Sequence, residues 1–252
     1  MNDFLKTKPS SMKALKALLR ADFIVQWKQR RSMFMSLLVP IIFLFSFRSL
    51  IPIVGGPSVL AICISVGLPA VGLLGYSALI ARDRERGVFQ RLRTAPISTW
   101  TIMVSRILVQ LAVMAGVTLI TIIVGAIVDH IHVGVGAAIV AIIAAVIGGA
   151  SFVALAQVIV ALVKGSDAVN AVVRLFYSAI AVVGSLGGVG LFGTVVENIV
   201  QWSPLGTTKT ILAAALTSHS WTGTVVGAFF VTIGYIIVLS AIGIKYFKWS
   251  TE

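Results

Sequence analysis

"RDRERGVFQRLRTAPIS", residues 82–98, places Arg82, Asp83, Arg84, Glu85, Arg86 and Arg91 within ten positions, between two stretches that are almost wholly apolar. A segment this charged has to sit in water or against a polar partner, so the chain leaves hydrocarbon to make it and re-enters afterwards. The flanking runs, 58–81 and 99–128, are each long enough to cross a bilayer, which takes about 20 mainly apolar residues. The charged stretch therefore marks one face of a membrane.

Composition agrees. Of the 252 residues 58% are hydrophobic and 11% charged, and mean hydropathy is +1.05, far from the balance of soluble domains. Four further apolar runs of spanning length lie at 33–54, 133–163, 168–195 and 222–244. The expected fold is all-α: a polytopic bundle of six transmembrane helices over 33–249, preceded by a cytoplasmic interfacial helix within 1–32. The whole of 1–252 reads as a single domain.

Six spans put both termini on one side, and the positive-inside rule selects it. Lys and Arg number eight in 1–32, six in 82–106, two at Lys164 and Arg174, and two at Lys245 and Lys248, against Arg48 and Lys209 on the opposite face. Both termini and the 82–98 loop are thus expected to be cytoplasmic. The net charge of +12 follows from this bias, and no nucleic-acid partner is expected. The N-terminus has basic residues but no apolar core running into a small-residue cleavage site, so no cleavable signal is expected.

Within the N-terminal segment Met12, Leu15, Leu18 and Leu19 fall on one helical side and Lys13, Lys16 and Arg20 on the other. That pattern fits a helix in the membrane interface or one packed on protein. On the outer face no loop is large enough for a folded domain. The link from Gly193 to Trp221 is long and apolar, and residues 207–216 within it are expected to form a short helix buried against protein in the outer leaflet. Ala137, Ala141, Ala145 and Gly149, with Gly184 and Gly188, are spaced for close helix approach, either within one subunit or between two.

Catalytic chemistry has little to draw on, with eight acidic residues and three histidines in all. Asp129, His130 and His132 form an external "DHIH" cluster, but two histidines two apart hold a metal only with help from elsewhere. Cys63, the single cysteine, lies in an apolar run and reads as a packing residue. Asp3, Asp22 and Glu252 lie near the ends or in the cytoplasmic segment, where solvation accounts for them. Arg48, Arg106 and Arg174 lie near span ends, from which a long side chain can snorkel. With no ionisable group at the centre of a span, ion-coupled transport has no obvious coupling site. A phosphate-binding loop of the G-x-x-x-x-G-K-[ST] type is also absent, so any ATP that drives this protein is bound elsewhere.

Within the charged loop, Gly87 permits a sharp turn and Pro96 ends a short helix over about 88–93. Phe89 and Leu92 share its apolar side, flanked by Arg91 and Arg93. On composition this knob serves equally as a protein-docking element or as a basic loop on anionic lipid.

"ERGVFQRLRTAPIS", 85–98, resembles the cytoplasmic motif of the membrane subunits of type 2 ATP-binding cassette exporters, approximately E-R-G-T-L-E-x-L-x-x-x-P-[IV]-S. Glu85, Arg86, Gly87, Leu92, Pro96, Ile97 and Ser98 match it; Val88, Phe89 and Gln90 replace the usual Thr, Leu and Glu. The "RRSMFMSLLVP" entrance to the first span and "WSPLGTTKTILAAAL" before the last are similar to that family as well.

The resemblance implies a permease subunit that exports amphipathic or hydrophobic solutes across the plasma membrane of a bacterial or archaeal cell. It implies an ATPase-coupling site formed by Glu85, Arg86, Gly87, Phe89, Arg91, Leu92 and Pro96, and short re-entrant helices before span six. The implied partners are two ATP-binding subunits, which would carry ATP and Mg, and a second permease, identical or not. This chain is expected to hold no cofactor and no ATPase site of its own. Two other readings differ in kind: a carrier or channel working without an ATPase, and a scaffold that binds a partner but transports nothing.

Overall fold

The computed structural model describes residues 11–28, 30–88, 99–186, 193–217 and 221–246. These form helices joined by short turns, with no strand among the described residues. In order they are α1 Ser11–Lys28, α2 Arg30–Ser46, α3 Ile51–Val54, α4 Gly56–Pro69, α5 Tyr76–Glu85, α6 Thr99–Val128, α7 Val135–Leu162, α8 Ser166–Leu186, α9 Gly193–Trp202, α10 Pro204–Thr217 and α11 Gly223–Tyr246.

Five helical stretches are long and apolar enough to cross a membrane: Gly56–Glu85, which joins α4 to α5, and the bodies of α6, α7, α8 and α11. A sixth appears if Phe34–Ser46 and Arg48–Val54, bent by 47° to one another, count as one span. The expected first span is thus broken rather than straight. The break follows from local chemistry, since Ser46 bonds back to the Ile42 carbonyl and Pro52 starts the next helix at its first turn.

The second span has its own irregularity. After Pro69 the chain makes a π-helical turn over Ala70–Gly75 before resuming as α5. Such a turn leaves carbonyls poorly matched to their own helix, and the buried Gln110 side chain of α6 donates to the one at Val71. Tyr76, 1% exposed, accepts a hydrogen bond from Gln157 of α7 at 3.2 Å. The middle of α4–α5 is therefore the core of the chain, wrapped by α2, α6, α7 and α10.

The fifth span, expected over 168–195, is described as α8 up to Leu186 and as α9 from Gly193, and the part of that expectation over 187–192 lies outside the described residues. The segment expected over 207–216 is α10, starting at Pro204, whose fixed φ suits a first helical position. It is buried between α4, α7 and α11. Its hydroxyls are satisfied locally, with Thr208 donating to Pro204 O at 2.6 Å and Thr232 of α11 donating to Thr207 at 3.0 Å.

The small-residue stripe of α7 serves packing inside this chain. Ala141, Ala145 and Gly149 are buried, and a methyl group at Gly149 would stand 2.3 Å from Met114 Sδ of α6. At Gly148 it would stand 2.4 Å from Thr208 Cγ2 and 2.7 Å from its Oγ1. Gly184 is likewise filled by Leu205, while Gly188 lies outside the described residues. Gly148→Ala is expected to cost about 1–3 kcal/mol through overpacking. Adding Thr208→Ala removes both nearest atoms and should recover most of that loss, as thermal unfolding in detergent would register.

The "DHIH" cluster is drawn into the bend of span one. Arg48 Nε lies 2.7 Å from Asp129 Oδ1, and the Asp129 side chain is only 1% exposed. His130 takes a left-handed φ of 51° in the turn after α6, and it and His132 are exposed. Asp129 thus serves a charge pair between two connections. Among the described residues, no group of three or more His, Cys, Asp or Glu could hold a metal.

Candidate functional site

The charged segment grows out of α5. Tyr76, Ile80 and Arg84 follow each other at i, i+4 and i+8, so Arg84 continues a buried face instead of pointing to solvent; it is 6% exposed. Its Nη1 donates to Val160 O at 2.8 Å and its Nη2 to Val163 O at 2.9 Å. A guanidinium in this position satisfies carbonyls that the last turn of α7 leaves open and meets the negative end of that helix.

Glu85 does the complementary work one helix on. Its Oε1 accepts a hydrogen bond from the Ser166 amide at 2.6 Å, placing a carboxylate at the positive start of α8. Arg84 and Glu85 together clamp the α7–α8 turn, in which Gly165 takes a φ of 80°.

Beside this clamp lies a buried charge cluster. Arg106 of α6, 7% exposed, stands between two carboxylates: Asp83 Oδ2 at 2.9 Å from its Nη2 and Asp22 Oδ1 at 3.4 Å from its Nε. Ser105 donates to Asp22 Oδ2 at 2.5 Å. Neither Arg106 Nε nor Asp83 Oδ2 completes a hydrogen bond among the described residues, so the pairs hold by charge attraction in a poorly solvated setting. Three elements meet here: α1 through Asp22, α5 through Asp83 and α6 through Arg106.

This overturns two expectations. Asp22 is not a solvated residue of a cytoplasmic segment, and Arg106 does not snorkel to the interface; each lies on the packed face of its helix. On α1 the expected sides hold for Leu15, Leu18 and Leu19, which are half-buried, and for Lys13, Lys16 and Arg20, which are exposed, but Met12 is 62% exposed and the fully buried positions are Ala14 and Asp22. The register that carries these residues inward is Ala14, Leu18, Asp22 on α1 and Ile102, Arg106, Val109, Val113 on α6. That periodicity is present in the sequence and is the signal by which the cluster could have been found.

Of the residues expected to couple to an ATPase, the structure describes Glu85, Arg86 and Gly87. Arg86 is exposed, and Gly87 takes a φ of 64°, with its amide bonded to Arg84 O at 3.2 Å. That is the left-handed turn at which a glycine is least strained. Phe89, Arg91, Leu92 and Pro96 lie outside the described residues.

No curated protein gives a significant match to this chain. A family model described as ABC-2 type transporter matches residues 13–188, from α1 through the charged segment to the C-terminal end of α8. Its span takes in Asp22, Asp83, Arg84, Glu85, Arg106 and Ser166 together, and on this match the chain belongs to the ABC-2 type transporter family, as a multi-pass membrane permease component that works with an ATP-binding subunit.

Proposed function

We propose that this chain is the permease half of an ATP-driven exporter, with residues 85–98 as the knob that docks on the ATPase. Phe89 and Leu92 anchor the knob, Glu85, Arg86 and Arg91 orient it, and Gly87 and Pro96 bound it. Two permeases form the pathway above two ATP-binding subunits, which hold ATP and Mg. Both termini and the knob face the cytoplasm, α1 lies along that interface, and α9 and α10 are re-entrant from the outer face. The exposed apolar side of α1, with Phe23 at 49% and Trp27 at 58% exposure, supports its place at the lipid surface.

The observation that carries this reading is how the knob is mounted. The helix entering it is tied to α7 by Arg84 and to α8 by Glu85, and it is paired with the helix leaving it through Asp83 and Arg106. A force on the knob is thereby delivered to four helices at once, as a rigid lever requires. The cargo is an amphipathic or hydrophobic solute such as a drug, antibiotic or lipid-like molecule, in keeping with the few fixed charges along the spans.

The test is affinity purification of the tagged full-length protein from its native membranes in mild detergent. A P-loop ATPase should co-purify and hydrolyse ATP, and reconstituted vesicles should move a hydrophobic dye only with ATP. Absence of any ATPase across several mild detergents would overturn the reading and point to an ion-coupled carrier or a scaffold.

A further inference from the structure

α8 differs from the other long helices in where its polar groups point. Along α6, α7 and α11 the polar side chains Gln110, Thr118, Thr121, Ser151, Gln157 and Thr232 are buried in the chain. On α8, Asn170, Arg174 and Ser178 recur at i, i+4 and i+8 and form one stripe. Arg174 and Ser178 are exposed and Asn170 half-exposed. The seam that holds α8 to the chain is the adjacent face, with Val169, Val173 and Gly184 buried. The remaining flank is apolar and open: Leu175 is 70% exposed, Phe176 45%, Val182 54% and Val183 41%.

Lipid can take only one of the two open flanks. The apolar one suits acyl chains, whereas a stripe of amide, guanidinium and hydroxyl set into hydrocarbon is strongly unfavourable. Arg174 is eight residues from the first residue of α8, about 12 Å at the helical rise. It has no ion pair or hydrogen bond among the described residues, unlike Arg48, Arg84 and Arg106. Asp167 shares the stripe but stands in the first turn, about 10 Å further out along the axis, where it complements the helix N-terminus. The deepest fixed charge on this flank is therefore a cation without a partner among the described residues.

We propose that the Asn170–Arg174–Ser178 stripe of α8 faces a water-filled transport path and that Arg174 is its anion-selecting residue, so that the solute taken is an amphipathic anion. A fixed cation in a low-dielectric wall raises the local concentration of anions and repels cations. This deepens the exporter reading and rests on it for the direction of movement, but not for the stripe's access to water.

The test uses single-cysteine substitutions in the full chain, purified in its native complex and reconstituted in leaky vesicles, with and without ATP. Cys63 is 0% exposed, so the unsubstituted protein is the blank. Cysteines replacing Asn170 and Ser178 should react with water-soluble methanethiosulfonates, while those replacing Leu175 and Val182 should not. At Ser178→Cys, the anionic sulfonate reagent should be favoured over the cationic ammonium reagent by on the order of fivefold, relative to a small free thiol. Arg174→Gln should erase that preference. Decanoate, below its micelle concentration, should slow labelling there, and decyltrimethylammonium should not.

Unreactive stripe cysteines, or equal labelling of both flanks, would overturn the water-facing stripe. Labelling without charge preference, or protection by both amphiphiles alike, would overturn the anion assignment. None of these readouts needs an ATPase, so loss of the exporter reading and loss of this one are separable.

Discussion

Arg106→Leu should be among the most destabilising single substitutions in the chain, lowering the thermal midpoint in detergent by on the order of 10 °C. The guanidinium is 7% exposed and flanked by Asp83 and Asp22. Removing it leaves two carboxylates in a poorly solvated site without their cation, and breaking a buried pair in this way costs about 3–5 kcal/mol. Most of that cost belongs to the stranded anions. Adding Asp22→Asn and Asp83→Asn to Arg106→Leu should therefore restore most of the stability, although it removes every charge in the cluster. If the triple variant is no more stable than Arg106→Leu, the cluster is held by packing of the arginine stem, and the charge argument fails.

The same cluster shows what could be read from the sequence and what could not. Apolar runs of spanning length are long-range signals, and they gave the all-helical membrane bundle, because hydrocarbon leaves the backbone few alternatives. The bend at Phe47 is not legible in that signal, because Ser46 and Pro52 act over a single turn inside a run that stays apolar. The charged residues were misread for a different reason. Asp22 reads by chemical type as solvated and Arg106 as snorkelling, when each continues the buried register of its own helix. Type and register conflict at these positions only because the charges have partners on other helices, and a partner on another helix is not visible in one helix's pattern. Glu85 was legible as part of a motif, but its use as a cap for α8 depends on a contact with Ser166, 81 positions away.

Phe89→Asp should leave the fold intact and abolish coupling. The mount of the knob is made by Asp83, Arg84 and Glu85 on one side and Arg106 on the other, and none of these contacts uses Phe89. The variant should therefore insert, elute as a single species and keep the parent's thermal midpoint, since the contacts that mount the segment are all retained. Docking should respond very differently. An aromatic anchor in an interface is worth about 2–4 kcal/mol, and a carboxylate placed in its pocket adds a desolvation penalty. Loss of 3 kcal/mol alone weakens binding by about a hundredfold. The co-purified ATPase should drop to background, and ATP-dependent dye movement with it. Arg86→Ala, at an exposed position on the rim of the knob, should weaken binding far less and steepen neither loss. A Phe89→Asp protein that keeps a full complement of ATPase, beside an Arg86→Ala protein that loses it, would move the anchor from the apolar side of the segment to its charges.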